Sequence, residues 1–263
     1  MARSRLRETL RQRLVSTWPG AYWRYYEWKR GLAEPEMRLL PELCRKDEDA
    51  VDVGANLGLY TFGLSQHARS VNAFEPIPEL AEQLRRGYRA KRDTVHIHEC
   101  GLSDRSGSAT LKLPVERRRF GYATIEAEND LTSKAELSGG VRSLSIAIKT
   151  LDEFELGQVG VVKIDVEGHD LAVLQGAKAL IERCKPTFII EVEERHKAGS
   201  VLGVERFLGE RGYSAFFMRE GKLQSFAGFD LTRNQDEARP ADYIRNFVFL
   251  PPTHLERVGA FLS

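Results

Sequence analysis

The chain has 263 residues, of which 42% are hydrophobic and 29% are charged, and its net charge is +1. This balance is typical of a globular protein with a sizeable core, and it gives no general attraction for nucleic acid. The three cysteines lie far apart without a CxxC pair, which argues against a zinc site or a disulfide framework and favours a cytoplasmic protein. No apolar run approaches the roughly 20 residues that span a bilayer.

The first 30 residues carry eight basic and only two acidic side chains. A leucine stripe within residues 3–15 predicts a helix, and five aromatic residues follow between Tyr22 and Trp28. We expect residues 1–46 to form a helical extension that covers one edge of a domain at 47–263. Alternatively, residues 1–30 make a peripheral membrane contact or a dimer contact, since basic and aromatic side chains suit both surfaces.

From residue 50 onward, short apolar runs alternate with helical patterns. Strands are predicted at 50–54, 70–76 and 95–104, with a helix after each of the first two. This β-α-β-α-β rhythm predicts a parallel sheet with crossover helices.

Residues 108–149 interrupt this rhythm. Two extra strands are predicted at 108–114 and 143–151, with a polar stretch at 115–142 between them. The polar stretch is either a lid or substrate loop, or a surface loop without a role in the site. Its three arginines at 117–119 could recognise an acidic sugar or a phosphate, although a solvated charge run is the favoured interpretation.

The alternation resumes after residue 158. Strands are predicted at 159–168 and 186–193 around a helix at 170–184, and a hairpin and a last strand at 246–252 follow. The predicted fold class is therefore α/β and Rossmann-like. It has about seven strands, mostly parallel, with an antiparallel C-terminal hairpin around Glu220-Gly221 and additional N-terminal helices.

The turn after the first predicted strand has the composition of a ligand site. Ligands of open α/β sheets bind beyond the carboxyl ends of the strands, and Gly54 and Gly58 allow the backbone to approach a ligand closely. The spacing is G-x-x-x-G instead of the dinucleotide fingerprint G-x-G-x-x-G. The Asp52 carboxylate would repel a pyrophosphate but attract an ammonium group.

Two further carboxylates follow the next strands. Glu75 could accept hydrogen bonds from a ribose diol, and Asp104 could accept one from an adenine amino group. Together with Asp52 they fit a cationic ligand that carries an adenosine, which describes S-adenosylmethionine (SAM).

Seven ordered motifs between about residues 50 and 252 resemble a known family. They are VDVGANLGLYTF, AFEPIPE, GLSD, LDEF, VKIDVEGHDLAVLQGA, FIIEVEE and NFVFLPP. Together they resemble the FkbM family of SAM-dependent methyltransferases. The resemblance implies a class I methyltransferase fold and O-methylation of hydroxyl groups on sugars, polyketides and other secondary or cell-surface products. Residues 1–45 lie outside it.

The resemblance also implies the cofactor contacts, residue by residue. They are Asp52, Gly54, Asn56 and Gly58 for the methionine end of SAM, Glu75 for the ribose, and Ser103 and Asp104 for the adenine.

Methyl transfer to an alcohol also requires a base, because the hydroxyl proton must leave. Acidic side chains cluster after the fourth and fifth main strands, at 165–170 and 191–194. Carboxylates that lie close together raise each other's pKa, which suits a base that works near neutral pH. We therefore predict Asp165 and Glu191 as catalytic residues, with His169 as a second candidate base.

Two neighbours of these residues have simpler interpretations. Strand alternation would put Glu167 on the same side as Asp165, where we interpret it as a partner of Lys163 or as a helix N-cap contact. Asp170 is predicted to be the N-cap or an acid in the first turn of the next helix. Alternatively, the acidic cluster binds a divalent cation such as magnesium, calcium or manganese that acidifies the acceptor hydroxyl.

The sequence thus predicts a SAM-dependent O-methyltransferase whose acceptor is a hydroxyl-bearing molecule. We expect a sugar in a glycan or a glycosylated metabolite, and no nucleic acid. One alternative is a catalytically lapsed SAM-binding scaffold that recruits a partner. Another is a nicotinamide-dependent oxidoreductase, which the missing G-x-G-x-x-G pattern disfavours.

Overall fold

A computed structural model of the chain describes residues 22–23, 34–115, 117–126 and 140–263, without the side chains of 117–119. The strands are β1 (Asp49–Val53), β2 (Val71–Phe74), β3 (Val95–His98), β4 (Gly101–Leu102), β5 (Gly107–Pro114), β6 (Val141–Lys149), β7 (Val159–Ile164), β8 (Thr187–Glu191), β9 (Ser214–Arg219), β10 (Lys222–Ser225) and β11 (Asn246–Leu250). The α-helices are α1 (Leu40–Leu43), α2 (Leu59–His67), α3 (Pro78–Gly87), α4 (Asp170–Gln175), α5 (Lys178–Cys184), α6 (Ser200–Gly209) and α7 (Leu231–Asn234). Short 3₁₀ helices lie at Pro35–Leu39, Arg89–Lys91, Arg117–Tyr122, Leu151–Glu153, Phe226–Gly228, Pro252–His254 and Glu256–Phe261.

The main sheet has eight strands in the order β10-β9-β11-β8-β7-β1-β2-β3. Neighbouring strands from β3 to β8 run parallel, and each pair from β8 to β10 runs antiparallel. Glu220 and Gly221, between β9 and β10, both have positive φ, as a tight two-residue hairpin requires. The predicted α/β class and the C-terminal hairpin are confirmed, and the sheet has eight strands where about seven were predicted.

A second, three-stranded sheet has the order β4-β6-β5. It contains both extra strands of the predicted insertion. The strand predicted over 95–104 is wrong in its extent, because the main-sheet strand ends at His98. Gly101 and Leu102 pair instead with Ile148 and Lys149 of β6. The first two residues of the segment GLSD therefore belong to the second sheet.

Helices cover both faces of the main sheet. Val51 and Val53 of β1 contribute to a core that includes residues of α4, α5 and α6, whereas Ala50 contributes to a core with residues of α1, α2 and α3. Strands buried on both faces explain the near-continuous apolar runs of the sequence. On the α1–α2 side two charged residues interrupt the core, since the register partners Asp52 and Lys163 are almost completely buried.

The N-terminal extension lies mostly outside the described residues. Its described part consists of residues 22–23, the 3₁₀ helix at Pro35–Leu39 and the short helix α1. The leucine stripe and most of the aromatic segment lie outside the description, so the membrane and dimer contacts stay predictions. Over the described ranges, none of the helices combines the length and the apolar character that a bilayer crossing requires.

The helix predicted over 170–184 is two helices, α4 and α5, because the helical hydrogen bonding is interrupted at Gly176. A Cβ atom on Gly176 would lie 2.0 Å from the main-chain oxygen of Ser103, so only glycine lets the segment approach β4 this closely.

Substitutions at two glycines test this packing. Gly176→Ala should lower the free energy of unfolding by about 1–3 kcal/mol, because a main-chain oxygen cannot move aside cheaply. Gly203→Ala is the matched control, since its Cβ would lie 3.6 Å from Leu171 Cδ2, at an ordinary contact distance. Because Gly203 lies inside α6, alanine there should stabilise the protein by roughly 0.5–1 kcal/mol. Urea denaturation measures the free energy of unfolding of both variants. Equal stability of the two would contradict the close packing of Gly176 against Ser103.

Candidate active site

A cavity of about 330 Å³ opens at the carboxyl ends of β1, β2, β7 and β8. Its polar wall includes Gly54, Asn56, Glu75, Asp165 and Glu191. Its apolar wall includes Ile77, Leu102, Leu111, Phe120 and Ile146. We call this space the main cavity. Its place is where open parallel sheets bind ligands, and its volume lies within the range of small-molecule sites.

A smaller cavity of about 220 Å³ adjoins the main cavity. The two share Glu34, Gly54, Asn56 and Asp165 as lining residues. The smaller cavity is also lined by Trp23, Asp52, Tyr60 and Lys163. The residues Trp23 and Glu34 show that the segment before β1 contributes to this wall.

The glycine turn after β1 packs closely against the turn after β7. Gly54 has a φ of +79°, and a Cβ there would lie 1.9 Å from the main-chain oxygen of Asp165. The Asp165 amide donates to the Val53 carbonyl at 3.0 Å. Gly58 is the N-cap residue directly before α2, with a φ of +83°, and it lines neither cavity.

Glu75 holds the loops after β1 and β2 together. Its carboxylate accepts hydrogen bonds from the amides of Asn56 and Ile77, both at 2.8 Å. Burial raises the pKa of Glu75 to about 7. A carboxylate has about four acceptor positions, so Glu75 retains capacity for a ligand in the main cavity.

Ser103 and Asp104 do not reach the wall of the main cavity. The wall at that end consists of Cys100, Gly101 and Leu102. Ser103 is buried and contacts His169 Nε2 at 2.9 Å, whereas Asp104 is exposed beside Arg105. Their assignment to the adenine stays a prediction.

The structure brings Asp165 and Glu191 to the same wall. Ile164 and Ile190 are register partners, and these two acids follow them directly in sequence. Burial raises the pKa of Asp165 to about 6. Burial also raises the pKa of Glu191 well above its usual value, and Asp165 adds to this shift. Arg245 Nε lies 3.6 Å from Glu191 Oε2.

The other predicted acid of the cofactor site, Asp52, lines the smaller cavity only. Thr61 Oγ1 donates a hydrogen bond of 2.5 Å to Asp52 Oδ2. Burial raises the pKa of Asp52 to about 6.

His169 has a partner on each ring nitrogen. Nδ1 contacts Glu126 Oε1 at 2.5 Å, and Nε2 contacts the Ser103 hydroxyl. Glu126 also accepts from Lys197 Nζ at 3.0 Å. His169 lines the main cavity, but it would have to give up one partner to act as a base.

Two further acids, Glu167 and Asp170, lie close to His169 in the sequence. The alternation argument for Glu167 is wrong, because β7 ends at Ile164 and Glu167 has a φ of +51°. Its carboxylate lies 3.0 Å from His196 Nε2. Asp170 is the first residue of α4, which confirms the predicted first-turn acid.

The described part of the polar insertion lies over the main cavity. Residues 120–125 contribute to its wall, and Thr124 Oγ1 donates to the Glu167 carbonyl at 3.0 Å. This favours the lid or substrate-loop alternative for 117–126. The side chains of 117–119 and all of 127–139 lie outside the description.

Sequence reasoning missed the two arginines of this region and named Lys163 only as a partner of Glu167. Arg195 and Arg245 line the main cavity, and Lys163 lines the smaller one. No motif marks the two arginines. Their positions just after β8 and just before the antiparallel β11 could have indicated them, since both places lie at the carboxyl edge of the parallel strands.

Residues 52–215 match the methyltransferase FkbM domain. The chain belongs to this family. It is 33% identical over 140 residues to the hexuronic acid methyltransferase AglP of Haloferax volcanii, which covers 53% of this chain and 54% of that protein. It is 29% identical over 147 residues to Methyltransferase 1 of Beauveria bassiana, which covers 49% of this chain and 58% of that protein. The chain thus spans little more than half the length of these relatives.

A crystal structure of an FkbM methyltransferase from Methylobacillus flagellatus KT has the same fold. It is 16% identical, with a TM-score of 0.50, and the match covers 78% of this chain and 44% of that one. Membership of a methyltransferase family confirms the resemblance and leaves the nicotinamide alternative without support. Within the described ranges, no group of three or more His, Cys, Asp or Glu side chains is arranged to hold a metal ion.

The burial of Glu75 predicts a pH-dependent stability. Its pKa is about 7 in the folded chain against an ordinary value of 4.5, so the unfolded chain loses this proton first as pH rises. The free energy of unfolding of the wild type, relative to Glu75→Gln, should therefore fall between about pH 4.5 and 7 by on the order of 1–3 kcal/mol. Urea denaturation of both proteins across this range measures it. If the difference in the free energy of unfolding between the two proteins stays constant over this pH range, the Glu75 carboxyl of the folded chain is ionised throughout it.

Proposed function

We propose that the protein is a SAM-dependent O-methyltransferase that methylates a hydroxyl group of a sugar. The observation that carries this proposal is the row of carboxylates around the glycine turn of the main cavity, of which Glu75 is buried and Asp165 and Glu191 are partly buried. A ligand with a sulfonium, an ammonium and a ribose diol suits such a wall. Family membership supports the same reaction.

The residues of the two cavities fit this methyl donor. Gly54, Asn56 and Asp165 would hold its methionine end, since they line both cavities. Glu75 would accept from the ribose hydroxyls, and the apolar surface of Ile77 and Leu102 would pack on the adenine. When bound, SAM supplies a methyl group on a positively charged sulfur.

Glu191 is the residue that we assign as the base. Its carboxylate is largely withdrawn from solvent and lies beside Asp165, and both effects raise its pKa, while the nearby Arg245 favours the ionised form. A pKa raised towards neutrality makes a carboxylate a more effective proton acceptor. Glu191 would take the proton of the acceptor hydroxyl as the oxygen attacks. The lid residues 120–125 would exclude water from this step.

The acceptor class is proposed from the arginines. Arg195 and Arg245 line the main cavity together with Glu191, and guanidinium groups bind carboxylates well. The Haloferax volcanii relative is named for hexuronic acid. We therefore propose a uronic acid, within a glycan or glycosylated metabolite, as the first acceptor to test.

Two substitutions separate catalysis from cofactor binding. Glu191→Gln should leave the affinity for S-adenosylhomocysteine within about threefold but lower kcat by about 10²- to 10⁴-fold, because the general base is lost. In the wild type kcat/KM should rise with pH as Glu191 ionises, and Glu191→Gln should lose this rise. Asp165→Asn should instead weaken S-adenosylhomocysteine binding.

Glu182→Gln, at an exposed position of α5, is the matched control and should change neither quantity. Calorimetry measures the affinities, and methyl transfer to uronic-acid oligosaccharides measures turnover. Turnover unaffected by Glu191→Gln would refute the assigned base. Normal S-adenosylhomocysteine binding without methylation of any sugar would favour the lapsed-scaffold alternative.

A further inference from the structure

Lys163 is a buried cation that the proposed reaction has not used. It lies on β7, only 1% exposed, and lines the smaller cavity. Its Nζ donates to Asn246 Oδ1 at 3.3 Å and to the Ile164 carbonyl at 3.1 Å, and it lies 5.0 Å from the centre of the Tyr60 ring. Both acceptors are neutral, and an ammonium can donate three hydrogen bonds. Lys163 can therefore donate to one further partner.

The charges around Lys163 form a pattern. Among the described residues that line the smaller cavity, Lys163 is the one cation, and Glu34, Asp52 and Asp165 are the acids. A cation beside several carboxylates complements an amino-acid head group, which carries a carboxylate next to an ammonium. The cavity joins the main cavity at Gly54, Asn56 and Asp165, which is where we assign the methionine end of SAM.

We infer that Lys163 binds the α-carboxylate of the methionine end of SAM in the smaller cavity. This assignment rests on the proposed function, because it names the group that recognises the methyl donor. Asn246 fixes the lysine, since its Oδ1 accepts from Nζ while its Nδ2 donates to Glu34 Oε2 at 3.2 Å. Asp165 and Glu34 would then take the ammonium of the same head group.

The contrasting role for Lys163 is that of a structural counter-charge. In that role it would only offset the buried Asp52 and the partly buried Asp165, and its loss would affect every ligand equally. The position of Lys163 on a cavity wall favours the binding role. A buried ammonium is costly, and a ligand carboxylate at this wall would offset that cost.

A pair of ligands distinguishes the two roles. The full chain is titrated calorimetrically with S-adenosylhomocysteine and with its decarboxylated analogue, which lacks only the α-carboxylate. The wild type should bind S-adenosylhomocysteine about 10- to 100-fold more tightly, as one charge-assisted hydrogen bond provides. Lys163→Met should weaken S-adenosylhomocysteine binding by a similar factor and leave the analogue within about threefold. Lys149→Met, which removes a lysine beside the Phe154 ring, should change neither affinity.

Each contrary outcome has a distinct meaning. Equal weakening of both ligands by Lys163→Met would overturn the binding role and leave the proposed function intact. Failure of the wild type to bind S-adenosylhomocysteine would overturn the proposed function itself. If Lys163→Met does not fold, Lys163→Gln replaces it. The wild type alone also provides a test. If it binds S-adenosylhomocysteine and the decarboxylated analogue with equal affinity, the assignment is overturned without any variant.

Discussion

The contact between the turns after β1 and β7 determines the geometry of both cavities. Asp165 donates its amide to the Val53 carbonyl, and its own carbonyl occupies the space where any side chain on Gly54 would begin. This contact exposes main-chain groups at the carboxyl edge and fixes Asp165 at the boundary of the two cavities. Glu75 extends the arrangement to the next strand, because its carboxylate binds amides from both loops.

The same edge concentrates buried negative charge. Asp52, Glu75, Asp165 and Glu191 all have raised pKa values, and burial is the largest cause for each. Such a cluster costs folding stability, because an ionised carboxylate loses its hydration when it is buried. Proteins retain unfavourable groups of this kind at functional sites. A ligand that carries two positive charges would offset the cost, which explains why the cluster suits SAM.

Much of the fold follows from local sequence patterns. Apolar runs such as that of β7 identify the central strands, and Glu220-Gly221 identifies the hairpin. Local patterns do not predict the bounds of strands and helices where tertiary contacts determine them. The run from Val95 to Asp104 reads as one strand, yet its second half pairs with β6, which follows after nearly forty residues. The interruption at Gly176 lies where only glycine fits against a main-chain oxygen of Ser103, and no periodicity reveals this contact.

The candidate site shows the same division. The placement of Asp165 and Glu191 on one wall could be predicted, because they lie at the carboxyl ends of the neighbouring parallel strands β7 and β8. Glu34, Arg245 and Lys163 could not, since their meeting depends on how the segment before β1 and the antiparallel strand β11 pack against β7 and β8. The error about Glu167 has the same origin, because strand alternation applies only as far as the strand itself.

The most direct test of the cofactor site is calorimetric titration of the purified chain with S-adenosylhomocysteine and, separately, with NAD. We expect one-site binding of S-adenosylhomocysteine in the micromolar range and no binding of NAD. Absence of S-adenosylhomocysteine binding, or tight binding of NAD, would contradict the proposed site.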